Sequence, residues 1–121
     1  LEPLLAPARA AGLDADLRVE GDARPLPDEL ELCAYRVLQE SLTNVVRHAR
    51  AASVRVRVNY GANALSVCVA DDGVGRPARA GGGIEGMRER VAIVGGRLEA
   101  GPGERGWTVR ATLPLRAAVA P

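Results

Sequence analysis

The chain has 121 residues, long enough for one sizeable core and too short for two. Apolar residues make up 47%, charged residues 26%, aromatics only 2% with no Phe, and the net charge is +1. This is an ordinary globular make-up, without the field for nucleic acid or an anionic membrane and without a stacking platform for single strands.

No apolar run reaches the ~18 residues of a membrane span, and the N-terminus lacks the basic and apolar regions of a secretion signal. Opening on Leu1 rather than Met, the chain reads as a piece of a longer protein. Cys33 and Cys68 stand alone, without metal-ligand neighbours, and read as buried thiols in a reducing compartment.

Residues 1–12 predict a short helix weakened by two prolines. Leu17 and Val19 alternate with Asp16, Arg18 and Glu20, a strand pattern, and 21–27 is a turn-rich connection. A long helix starts at Asp28, with Asp28, Glu29 and Glu31 in the first turn, where the helix dipole favours acids. Leu30, Cys33/Ala34, Val37/Leu38, Leu42, Val45/Val46 and Ala49 recur at helical spacing and form its buried face.

Strict alternation then marks strands over 54–58 and 65–69, joined by 59–63 as a hairpin. A loop rich in Gly, Pro and Arg covers 71–83, and a helix over 84–94 is closed by Gly95-Gly96. A short strand at 97–100 and a longer one at 107–115 finish the chain. Several strands thus have one apolar and one polar face, so helices cover one side of the sheet and water the other. The predicted fold is a two-layer α/β sandwich with a mixed, mostly antiparallel sheet.

Within the long helix Arg36, Glu40, Asn44 and His48 recur every four residues. The stripe fits a solvated face with an Arg36–Glu40 pair. It also fits a site, because Asn is a poor mid-helix residue and its amide oxygen suits Mg2+, which takes oxygen ligands from protein and phosphate. Arg47 and His48 would then face the phosphates.

Asp71-Asp72-Gly73-Val74-Gly75 invites a tight hairpin turn, but a helix follows instead of a returning strand. A carboxylate at a strand end, beside glycines, suits an exocyclic amine such as that of adenine. Gly81, Gly83 and Gly86 match a weak glycine-loop pattern; what survives of it is a set of free N–H groups at a helix start, a generic phosphate site. All 16 basic residues are Arg, which excludes the P-loop and the protein kinases that need a Lys on the phosphates.

In order and spacing, ExLTN-x-x-RHA, DxGxG, GxGIxGMRERV and Gly95-Gly96 with a closing strand resemble the boxes of the GHKL ATPases. Leu-Thr-Asn-Val-Val-Arg-His-Ala (42–49) and Gly-Met-Arg-Glu-Arg-Val (86–91) are similar to the sensor histidine kinases of the nitrate/nitrite and DesK type. The resemblance covers roughly residues 13–115. It implies the Bergerat sandwich, a five-stranded mixed sheet with three helices on one face.

It further implies ATP and Mg2+ as ligands, Asn44 on the metal, and Glu40 as the acid that organises phosphotransfer. By the same resemblance Arg47 and His48 contact phosphates or ribose, and Asp71 takes the adenine amine. Gly73 and Gly75 shape the base pocket, while Gly81, Gly83 and Gly86 wrap the phosphates, with Met87 and Thr108 near the base; Ile84 counts among the ATP-binding residues. Two departures stand out: Gly82 replaces a His or Tyr of the third box, and Trp107 intervenes between Gly106 and Thr108.

The implied partners are dimerisation helices carrying the phosphoacceptor histidine and a response-regulator receiver, with no nucleic acid and no direct membrane contact. The domain would lie in the cytoplasm, its parent membrane-anchored or soluble. Since the only His is His48, inside the nucleotide box, the chain is expected to bind ATP without phosphorylating itself. The competing readings are an anti-sigma-factor serine kinase and a degenerate, non-catalytic module.

Overall fold

The computed structural model describes residues 1–73 and 81–115. A 3-10 turn, Glu2–Leu5, leads into α1 (Ala6–Ala10), followed by β1 (Asp14–Gly21) and α2 (Asp28–Asn44). A π turn, Val45–Ala49, extends α2. Then come β2 (Ser53–Tyr60), β3 (Ala64–Asp71), α3 (Gly81–Ile93), β4 (Arg97–Pro102) and β5 (Trp107–Pro114).

The five strands form one sheet in the order β1-β2-β3-β5-β4. β1 pairs parallel with β2; the other three pairings are antiparallel. This is the mixed, mostly antiparallel sheet expected from the alternation. Val54, Val56, Val58, Leu65, Val67, Val69, Val109, Ala111 and Leu113 are buried on one side of it. Leu30, Cys33, Ala34, Val37, Leu38 and Leu42 of α2 and Met87 and Val91 of α3 complete the core. The opposite side carries Arg55, Arg57 and Arg110.

Local chemistry sets the element ends. α3 stops at a Schellman motif, in which Gly95 (φ +83°) takes the left-handed conformation. The Gly96 and Gly95 N–H groups donate to Val91 and Ala92 carbonyls, both at 2.9 Å. At its other end α3 begins at Gly81, three residues before the apolar pattern, so the glycine motif occupies the first helical turns rather than a preceding loop.

Two cysteine readings part company. Cys33 is buried, and burial pushes its thiol up despite the Arg90 guanidinium. Cys68, expected in the core, is half-buried on the open side, because it falls on the polar phase of β3, in register with Arg57 and Arg110.

Candidate functional site

α2 lies over the sheet with its first half near Val58, Leu65 and Val67, so its last turn points toward the end of β3, where Asp71 stands. The two ends are tied by Asp72. Its Oδ1 accepts from Ala52 N at 2.8 Å and Ser53 N at 2.9 Å, and its Oδ2 from Ser53 Oγ at 2.9 Å. Residues 52 and 53 come shortly after the π turn, with Arg50 making the bend in the left-handed region (φ 53°). These donors hold the Asp72 carboxyl below the usual carboxylate range, the Ser53 amide foremost. Asp72 is a positioning residue that the motif reading passed over.

Asp71 itself is 7% exposed. It continues the helix-facing phase of Leu65, Val67 and Val69, and its Oδ1 accepts from Gly73 N at 2.7 Å. A carboxylate so shielded needs hydrogen-bond partners, and the loop backbone provides one. Gly106 packs on the same group: a Cβ there would run into the Asp71 carbonyl oxygen and lie 2.8 Å from Gly73 N and 2.9 Å from Asp71 Oδ1. Only glycine fits at this approach.

α3 comes to the same end of the molecule. A Cβ on Gly83 would stand 3.5 Å from Asn44 Nδ2 and 3.6 Å from Glu40 Oε2, so the α3 backbone passes directly over that pair. Glu40 is exposed, Asn44 half-buried, and neither has an ion pair or side-chain hydrogen bond among the described residues. The Arg36–Glu40 pair expected of a solvated stripe is not formed. One turn deeper, Ser41 Oγ contacts Met87 Sδ at 3.8 Å, and both residues are buried. Met87 thus joins α3 to α2 beneath the site, with Ile84 half-buried above it and packed on the core.

Gly86 has open space at its Cβ position, so sterics do not demand glycine there. Gly81 opens α3. Gly75 lies outside the described residues, as do the side chain of His48 and the stretch 74–80.

Two placements differ from the sequence reading. Thr108 falls on the outward phase of β5, in register with Ala70, and its hydroxyl sits against Gly103 in the β4–β5 hairpin and beside Arg55 and Arg110. The extra residue between Gly106 and Thr108 turned it to the far side of the sheet; Trp107 holds the helix-facing position beside Asp71. Arg47 is exposed in a groove lined by α2 and the N-terminal segment, including Pro3, Leu4, Tyr35 and Thr43. The π turn adds a residue to the helical repeat after Asn44 and breaks the four-residue stripe, as such turns at functional sites often do.

Residues 29–117 match the model of the histidine kinase-, DNA gyrase B- and HSP90-like ATPase family. The chain belongs to this family. Membership of this ATPase family implies that the domain binds ATP. The sensor histidine kinase LnrJ of Bacillus subtilis is 34% identical over 107 residues, 87% of this chain and 27% of LnrJ. The oxygen sensor histidine kinase NreB of Staphylococcus carnosus is 32% identical over 92 residues, 72% of this chain and 26% of NreB.

Among solved structures, the histidine kinase domain of the Erythrobacter litoralis EL346 blue-light activated histidine kinase superposes with a TM-score of 0.71 at 26% identity, covering 94% of this chain and 58% of that one. The chain spans about a quarter of the length of these two curated relatives. Within this ATPase family its sequence and fold are those of the catalytic domain of sensor histidine kinases. No described helix is long and apolar enough to cross a membrane.

Proposed function

We propose that this ATPase domain binds Mg2+-ATP between α2 and α3 and passes the γ-phosphoryl group to a histidine on a separate dimerisation helix, from which it moves to an aspartate of a response regulator. The observation that carries the reading is the convergence of three elements: the Asn44–Glu40 pair under the Gly83 backbone, with Asp71 beyond it at the end of β3.

Asp71 accepts a hydrogen bond from the exocyclic amine of adenine, while Gly73 holds the carboxylate in place. The start of α3, bare of side chains at Gly81 and Gly83, offers N–H groups and the positive helix end to the phosphates. The residue beneath suits a hard cation: Asn44 would hold Mg2+ through its amide oxygen. When bound, it neutralises the triphosphate.

Glu40 stands one turn before Asn44, without an ion pair among the described residues, and is the group placed to orient the incoming nucleophile or accept its proton. Transfer of this kind is mostly positioning and charge neutralisation, so it needs little covalent chemistry from the protein. The names of the relatives, all sensor histidine kinases, favour histidine over serine as acceptor.

Calorimetry with a non-hydrolysable ATP analogue tests this. Binding is expected with Mg2+, and Asn44→Ala should abolish the enhancement by Mg2+ while leaving metal-free binding in place. Absence of binding to the wild-type chain would refute the reading.

A further inference from the structure

Trp107 is the only Trp of the chain. It opens β5 in register with Asp71, and residues 107, 109, 111 and 113 share the helix-facing side of the strand. It is only partly buried, packed by one side against the core. Gly106, immediately before it, lies against the Asp71 carboxylate, so the backbone that carries the indole is held beside that carboxylate. The other two aromatic side chains are elsewhere: Tyr60 lies under the Arg24 guanidinium near the β2–β3 hairpin, and Tyr35 lines grooves on the outer side of α2.

We propose that Trp107 is a base-selecting residue, the apolar wall of a pocket whose polar end is Asp71. The proposal rests on the nucleotide reading above and adds a determinant to it. A base whose amine reaches Asp71 meets, one strand over, the largest flat apolar surface in the chain, part of which is still open to cover. A base's π face packs on indole through dispersion and quadrupole attraction, and the gain grows with ring overlap. Asp71 alone accepts the amine of cytosine as readily as that of adenine; the indole wall favours the larger purine. Thr108 contributes nothing to this choice, since its hydroxyl is across the sheet.

The test uses calorimetry of the wild-type chain, Trp107→Phe and Trp107→Thr with ADP and with CDP, together with the tryptophan emission of the wild type. Saturating ADP should shift or quench the emission. Trp107→Thr should bind ADP roughly tenfold more weakly and lose much of the preference for ADP over CDP, while Trp107→Phe, which keeps a ring, retains most of both. Circular dichroism checks that each variant is folded. Emission unchanged at calorimetrically proven saturation, or a folded Trp107→Thr that binds ADP like the wild type, overturns the proposal while leaving nucleotide binding intact. A wild-type chain that binds no ADP overturns the nucleotide reading, and this inference with it.

Discussion

Replacing Gly83 with Ala sets stability and binding against each other at a single methyl group. Gly83 is the third residue of α3, and glycine there costs about 0.5–1 kcal/mol relative to alanine in backbone entropy, less near a helix end. The new Cβ would meet Asn44 Nδ2 at 3.5 Å and Glu40 Oε2 at 3.6 Å, ordinary contact distances, so the unliganded fold accepts it. The nucleotide-free Tm should therefore rise by roughly 1–3 °C for a domain of this size.

The same methyl fills the space between α3 and the Asn44–Glu40 pair, where the proposed function puts the phosphates and cation. Overpacking of that kind costs about 1–3 kcal/mol, so affinity for the Mg2+-ATP analogue should fall about tenfold or more. Thermal melts with and without nucleotide, backed by calorimetry, read both effects, since the stabilisation by ligand shrinks with affinity. Unchanged affinity, or a lower nucleotide-free Tm, would refute the placement of the phosphates over Gly83.

Gly106→Ala should lower the Tm by several degrees and weaken nucleotide binding, because its Cβ collides with Asp71 backbone at a cost of about 1–3 kcal/mol. Gly101→Ala, with no atom within 4 Å of its Cβ, is the matched control and should leave nucleotide affinity unchanged. For Asp72 the folded carboxyl titrates below its unfolded value, so its stabilisation is present above the usual aspartate range of ~4 and is lost as pH falls through the folded value. The Tm gap between wild type and Asp72→Ala should therefore be constant from pH 7 to 5 and close on further acidification. Given γ-labelled ATP, the chain alone should stay unlabelled and should label an added dimerisation domain bearing an acceptor histidine; label on the chain itself contradicts the assignment of His48 to the nucleotide site.

The sheet was legible because alternation in 54–58, 65–69 and 107–115 records which phase of each strand is buried. Asn44, Glu40, Gly83 and Asp71 drew attention in the sequence because each carries chemistry costly to place idly: an Asn in mid-helix, a carboxylate at a strand end, a helix opened by glycines; the fold sets Gly83 against Asn44 and Glu40. What escaped depended on register. One residue more in β5 sends Thr108 to the outer face and Trp107 to the inner one, and a motif read without phase cannot register that inversion.

The π turn after Asn44 likewise has no pattern in a regular helical count, so the groove beside the N-terminal segment in which Arg47 stands was not foreseen. Ser41 carries no sequence signal of its own; its contact with Met87 exists only once α3 has packed on α2. Asp72 was read as part of a glycine turn, and its role as a tether depends on the distant backbone of 52 and 53.

That Asp71 recognises the amine of the base is open to direct measurement, by comparing the affinity of the wild-type chain and Asp71→Asn for ATP and for purine riboside triphosphate, which lacks the 6-amino group. Asn keeps an oxygen for the Gly73 N–H but turns a donor toward the base. Wild type should prefer ATP by ten- to hundredfold, equivalent to about 1.5–3 kcal/mol for a hydrogen bond to a charged group, and Asp71→Asn should show no preference. Equal binding of the two nucleotides by the wild-type chain would contradict the account at its centre.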